Sequence, residues 1–170
     1  MFETKKTDGE TPHRCTMGRL MLVVDGSNAS LAASDFAVAM AAEKGCSIIA
    51  VYVVDTATMD YLVNMRLLLT TERLGFEKQL EATGHRHLER VVKMAEPMGV
   101  KIETHMTRGI FHKSILHLAR EHHADAIVVG GWQRTVTRKD YPSVERQAIL
   151  DEAECPVIVV KEGWKFPVHR

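Results

Sequence analysis

Cysteine is scarce in this chain, and long apolar runs and an excess of charge of either sign are missing altogether. The three cysteines, Cys15, Cys46 and Cys155, are an odd number with no Cys-x-x-Cys spacing. That excludes a disulfide framework or a paired-cysteine zinc site and fits reduced thiols. Cys46 and Cys155 each lead into a strand-like run and are expected to be packed. No apolar run approaches the roughly 18 residues that a membrane-crossing helix needs, and the N-terminus lacks the apolar stretch of a signal peptide. The 22 Lys and Arg residues balance 22 Asp and Glu, so no bulk field draws the chain to nucleic acid or to an anionic membrane. The expectation is a cytoplasmic protein with neither of those as partner.

Catalytic signatures are absent too. There is no Gly-x-Gly-x-x-Gly, no Gly-x4-Gly-Lys-[Ser/Thr], no Gly-x-Ser-x-Gly and no His-Glu-x-x-His, which removes the common dinucleotide, P-loop, serine-hydrolase and zinc-protease readings. Nine histidines invite a metal reading. His85 and His87 are two apart and diverge on a helix, however, while His112, His117 and His122 are five apart, so no i, i+4 pair forms. They are read as solvated helix residues, and His105 as a surface residue of a strand. No side chain stands out as an activated nucleophile or as half of an acid–base pair, so no enzyme is expected.

What is present is an ordinary globular composition, 45% hydrophobic and 26% charged over 170 residues, enough for one domain that buries about 70% of its unfolded surface. Residues 1–16 are polar and aperiodic and are expected to form a mobile arm. The domain is expected over 17–162, with 163–170 as a tail. Leu20 to Val24 is an unbroken apolar run that stops at Asp25-Gly26-Ser27-Asn28, a strand buried on both faces with its exit loop. A helix follows, capped by Ser30 and stopped by Gly45. Ser47 to Asp55 is the second strand. Thr56 to Leu69 is apolar with mixed spacing and is read as a loop plus a short helix covering the carboxyl edge of the sheet. From Glu72 an amphipathic helix presents Leu80, Gly84, Leu88, Val91 and Ala95 until Pro97 ends it. Val100 to Met106 alternates as an edge strand does.

Gly109 opens a helix that buries Ile115, Leu116 and Ala119 and ends at His122-His123-Ala124-Asp125. Ala126 to Val129 is the fourth strand and runs straight into Gly130-Gly131. A basic loop containing Arg134, Arg138 and Lys139 leads to a last helix, with Pro142 in its first turn and Val144, Ala148, Ile149 and Ala153 on its buried face. Val157 to Val160 closes the chain as the fifth strand. Strands alternating with helices imply an α/β fold, a single domain with a five-stranded parallel doubly wound sheet and helices on both faces. In such sheets ligands bind where the strand order reverses, outside the carboxyl ends.

Five pieces, in this order, resemble the universal stress protein family: Val23-Val24-Asp25-Gly26-Ser27 with Ser30, Val51 to Asp55, Gly109 before a helix, Asp125 to Gly130, and Cys155-Pro156-Val157. Together they span Leu20 to Lys161. The resemblance implies strand order 3-2-1-4-5, with a crevice between Asp25 and Gly130. It implies a glycine at position 123, where histidine enters the left-handed region more easily than most residues and should keep the helix stop. It also implies an adenine-nucleotide site (AMP, ADP or ATP). Asp25, Gly26 and Val53 would face adenine and ribose, and Val129, Gly130, Gly131, Ser143 and Val144 would lie along the phosphate loop.

That loop departs from the family pattern Gly-x2-Gly-x9-Gly-[Ser/Thr]. Counted from Gly130, the second glycine position holds Gln133, the third Ser143 and the hydroxyl position Val144. A shift by one residue restores the hydroxyl at Ser143 but puts Pro142, which has no amide hydrogen, where a donor is wanted. Only Gly130 survives in either register. Two readings therefore stay open, a weak nucleotide crevice with a degraded phosphate cradle and a related fold whose crevice is used otherwise. An adenine-nucleotide α-hydrolase-like enzyme would need the phosphate loop this chain lacks. A phospho-receiver domain would share Asp25 and Lys161 but needs an aspartate where Thr107-Arg108-Gly109 stands. The resemblance further implies a homodimer through the last strand, an apolar edge to which Trp164 and Phe166 would add area, and a role in stress response through binding and self-association.

Overall fold

The computed structural model describes residues 17–132 and 141–165, with side chains from 144 onward in the second stretch. Its elements are β1 (Arg19–Val23), α1 (Asn28–Lys44), β2 (Ser47–Asp55), α2 (Thr56–Asn64), α3 (Arg73–Ala95), β3 (Ile102–Gly109), α4 (Phe111–Glu121), β4 (Ala126–Gly130), α5 (Tyr141–Glu152) and β5 (Val157–Val160). All five strands are parallel, in the order β3-β2-β1-β4-β5. β1 and β4 are neighbours, with Leu22 opposite Val128, as expected.

The period-two geometry of strands divides the apolar runs between two cores. Leu20, Leu22, Ile48, Ala50, Tyr52 and Val128 pack with Ala33, Ala37 and Val38 of α1 and with Leu88 and Val91 of α3. Met21, Val23, Ile49, Val51, Ile127 and Val129 pack with Ile115 and Leu116 of α4 and Ile149 of α5. Because both faces are covered, consecutive residues of β1 and β4 are buried alike, and the strands read as continuous apolar runs. Each fully buried aliphatic side chain contributes about 1.5–3 kcal/mol through removal from water. No helix among the described residues is long and apolar enough to cross a membrane.

Several local expectations are corrected. Ser27, not Ser30, caps α1, its side chain accepting the Ser30 amide at 3.1 Å. Ser30 is buried instead, its hydroxyl accepting the Asp25 amide at 3.1 Å and donating to the Val23 carbonyl at 3.4 Å. It ties the strand exit to the helix. α3 stops at Ala95 and passes into a 3-10 turn that contains Pro97. The edge strand β3 starts two residues later than expected and runs on to Gly109. On α5 the buried face centres on Glu145 and Ile149, while Val144 is 46% exposed. Cys46 is buried, its thiol donating to the Met17 carbonyl, but Cys155 is only partly so. Gly45 and His123 both take left-handed backbone, at φ 72° and 51°, so both helix stops fall where expected.

Two contacts position the third helix. An added Cβ at Gly84 would lie 2.4 Å from Cδ1 of Tyr52, so glycine in the middle of α3 is what lets the Tyr52 ring lie flat against that helix. The imidazole of His87, one turn further on, stacks on the same ring with centroids 6.4 Å apart. At the far end of the chain Trp164 meets Phe36 of α1 edge-on, centroids 5.2 Å apart. The tail thus packs its tryptophan on its own domain, while Phe166 lies outside the described residues.

Candidate functional site

β1 ends at Val23 opposite Val51 while β2 runs on to Asp55, so Asp25 from the exit of β1 and Val53 and Asp55 from the last residues of β2 gather at the carboxyl edge of the sheet. A cavity of about 280 Å³ opens there, lined by Asp25 and Val53 together with Tyr52, Met59, Phe111 and Arg146 among others. α2 forms part of its wall because Asp55 caps that helix, accepting from the Ala57 and Thr58 amides at 3.1 and 3.2 Å and from the Thr58 hydroxyl at 2.7 Å. The capped helix presses Met59 into the core. Tyr61, Met65, Leu67 and Leu69 are left outside, so the segment after β2 covers the carboxyl edge with one side of itself only.

The loop after β1 is fixed by hydrogen bonds of its own. Asp25 Oδ1 accepts the Ser27 amide at 2.8 Å, and Gly26 has φ 81° with no room for a Cβ, which would sit 2.4 Å from Nε2 of His87. The other carboxylate oxygen of Asp25 is paired with Arg146 of α5. Both side chains are largely buried, 17% and 13% exposed, and the Arg146 guanidinium lies 5.6 Å from the Phe111 ring centroid, within cation–π range. Beside it, Glu145 is 6% exposed and accepts from both the amide and Nδ1 of His112, at 2.9 and 2.7 Å. The N-cap of α4, Ile110, has no side-chain acceptor to offer. Glu145 supplies one from another helix, placing negative charge at the positive end of α4. Burial, with the Asp25 carboxylate adding to it, pushes the Tyr52 phenol above its ordinary value and holds it neutral.

Of the residues singled out from sequence, Asp25 and Val53 meet in this cavity, and Gly26, Val129, Gly130, Gly131 and Val144 do not line it. Val129 is buried among the α4–α5 core residues. Gly130 ends β4 against the first turn of α1, where an added Cβ would lie 2.6 Å from Ala29 C and Ser30 N. The glycine is required there by the approach of two backbones, whatever else the loop does. A Cβ on Gly131 would come 3.2 Å from the Val160 carbonyl oxygen, against β5. Ser143 and Val144 lie in the first turn of α5, and Gln133, Arg134, Arg138 and Lys139 fall outside the described residues.

Sequence reading missed Arg146, Glu145 and His112. Helical periodicity assigns Glu145 and Arg146 to solvent, and nothing local shows that their partners sit on β1 and α4. His87 and His112 are not the solvated residues expected, since one stacks on Tyr52 and the other bonds Glu145. A wider depression of about 420 Å³ lies at the opposite, amino end of the sheet, lined by residues such as Arg120, Asp125 and Glu154. It is remote from the strand reversal.

With this geometry in view, the chain is similar to known proteins along nearly its whole length. A curated relative, universal stress protein MJ0531 of Methanocaldococcus jannaschii, is 32% identical over 147 residues, covering 86% of this chain and 84% of its own. Among solved structures, the hypothetical protein MJ0577 superposes with a TM-score of 0.69 at 19% identity, over 88% of this chain and 99% of its own. A universal stress protein family protein of Arabidopsis thaliana, solved with AMP bound, gives a TM-score of 0.62 at 19% identity, covering 86% and 92%. At such identities these two structures speak to the fold. The model of the universal stress protein family matches residues 17–161, and the chain belongs to that family.

Proposed function

We propose that this stress protein binds an adenine nucleotide in the crevice beside Asp25, chiefly through its nucleoside half, and acts by binding and self-association instead of catalysis. The observation that carries the reading is that Asp25 and Val53, from the adjacent strands β1 and β2, line one cavity at the carboxyl edge of the sheet, next to the β1–β4 reversal of strand order. An apolar wall of Val53, Met59 and Phe111 suits a purine face, and a carboxylate suits ribose hydroxyl protons. That a relative of the same fold was solved with AMP supports the ligand class.

Three features set the affinity low. A volume of about 280 Å³ is at the small end for ligand pockets. Asp25 must exchange a partly buried guanidinium for ribose. The sequence keeps one glycine of the phosphate loop, and Gly130 answers to α1. Two lost hydrogen bonds to charged oxygens, at about 1.5–3 kcal/mol each, weaken a micromolar site roughly a hundredfold or more. Isothermal titration with adenosine, AMP and ATP tests this. Comparable, weak affinities for all three are expected. ATP bound at least tenfold more tightly than adenosine would mean that the altered loop cradles phosphate, and absence of heat with all three would remove the nucleotide.

Self-association is proposed along β5. Among the described residues no strand pairs with its outer side, and Val159 there is 40% exposed, so a twofold pairing would satisfy an apolar edge.

A further inference from the structure

Outside the lining of the crevice, at the β3 edge of the sheet and on the side covered by α4, three potential metal ligands converge. Glu103 and His105 are two apart on β3, so the pleat turns both to one face. His122 is the C-cap of α4. The rings of His105 and His122 lie with centroids 4.4 Å apart, and Nε2 of His105 is 2.8 Å from Oε1 of Glu103. One donor atom from each of the three falls within 4.8 Å of the others. A tetrahedral zinc ion with bonds of about 2.0–2.2 Å sets its ligand atoms about 3.3–3.6 Å apart. Glu103 is 63% exposed, so rotation of its side chain can draw its carboxylate toward the two imidazoles. Elsewhere the fold holds the pieces firmly. β3 is paired with β2 from Ile102 to Gly109, and Arg19 donates to the His122 carbonyl at 2.7 Å, fixing the end of α4.

We propose that Glu103, His105 and His122 form a binding site for a zinc-class divalent cation that joins the edge strand to the end of α4. Two imidazoles and one carboxylate are ligands of borderline metals such as zinc, cobalt or nickel, whereas magnesium and calcium want oxygen alone. Coordination through Nε2 of His105 and the Glu103 carboxylate would take the place of the hydrogen bond between them. Three protein ligands leave the fourth position to water. The Arg19 guanidinium adds a positive charge close by, which weakens the hold on a cation. Sequence spacing hid the site because its members come from a strand and the end of the following helix, 17 residues apart between His105 and His122, and not from one helical face.

The test is titration of metal-stripped, full-length protein with zinc chloride, and with cobalt chloride for its visible spectrum, alongside melting temperatures with and without zinc. One equivalent of zinc at micromolar affinity is expected, with a tetrahedral cobalt spectrum and a melting temperature raised by a few degrees. His105→Ala, His122→Ala and Glu103→Gln should each weaken zinc about tenfold or more and abolish the thermal shift. Their metal-free melting temperatures should stay near that of the parent, and Glu103→Gln, at an exposed position, serves should a histidine variant fail to fold. His85→Ala and His117→Ala should bind as the parent does. Unchanged zinc affinity in the first three variants, or no binding at about 100 μM zinc, would overturn the proposal.

Discussion

Arg146 of α5 and Asp25 at the end of β1 form an ion pair across 121 positions of sequence, at the mouth of the candidate crevice. This pair links the two halves of the sheet at the reversal of strand order and occupies the carboxylate that a ribose would use. Arg146→Ala should therefore do two things at once. Loss of a partly buried, charge-assisted contact should cost about 1–3 kcal/mol of stability by urea denaturation. Freed of its partner, Asp25 should bind AMP several-fold more tightly by titration. Weaker AMP binding in the variant would place Arg146 among the ligand's own contacts.

Gly130→Ala should be among the most damaging single changes in the chain, because its Cβ would meet backbone atoms of Ala29 and Ser30 at 2.6 Å. Overpacking against backbone costs about 1–3 kcal/mol or more. Gly131→Ala, with its nearest neighbour at 3.2 Å, should cost less. Urea midpoints of the two variants check the order. Equal midpoints would show that β4 can move away from α1 at little cost.

The neutral Tyr52 phenol gives a pH dependence with a definite sign. Its proton is held more tightly in the folded chain, because burial, and then the Asp25 charge, penalise the phenolate. The contribution is complete below the ordinary phenol value of about 10 and is lost as pH rises through the folded value. Stability should thus fall above about pH 10. The burial-raised thiols of Cys46 and Cys155 act in the same direction from slightly lower pH. Tyr52→Phe should flatten the alkaline slope in urea melts between pH 9 and 11, the region around the ordinary phenol value, roughly. An unchanged slope would assign it to other groups.

For self-association, Val159→Lys puts a charge on the exposed edge of β5 and should convert a dimer to monomer in sedimentation at high micromolar concentration, leaving the melting behaviour of the monomer fold intact. A parent protein that already sediments as a monomer there would reject pairing through β5.

Much of this architecture was legible in the sequence because local and global signals agree in it. β1 and β4 are buried on both faces, so their composition alone marks them as central, and the stops at Gly45 and His123 follow from backbone sterics. Strand boundaries were less secure at the sheet edge, where β3 shows only a mixed burial pattern. The site was legible by half. Asp25 and Val53 stand at or just past the carboxyl ends of apolar runs, so sequence alone places both at the carboxyl edge where the cavity opens. Glu145, Arg146 and His112 act through partners on other elements, and no period within α5 separates a solvent-facing glutamate from one that caps another helix. The serine cap failed for a related reason. Ser27 and Ser30 are three apart and chemically alike, and only packing decides which hydroxyl turns inward.

The central claim is that an adenine nucleotide sits beside Asp25 and Val53, and amide chemical-shift mapping of 15N-labelled protein titrated with AMP tests it most directly. Saturable shifts are expected at Asp25, Gly26, Val53 and Asp55 and in the first turn of α4, with little change around Ala124 and Asp125 at the opposite end of the sheet. Shifts confined to that opposite end, or none at millimolar AMP, on the order of the weakest specific binding, would contradict it.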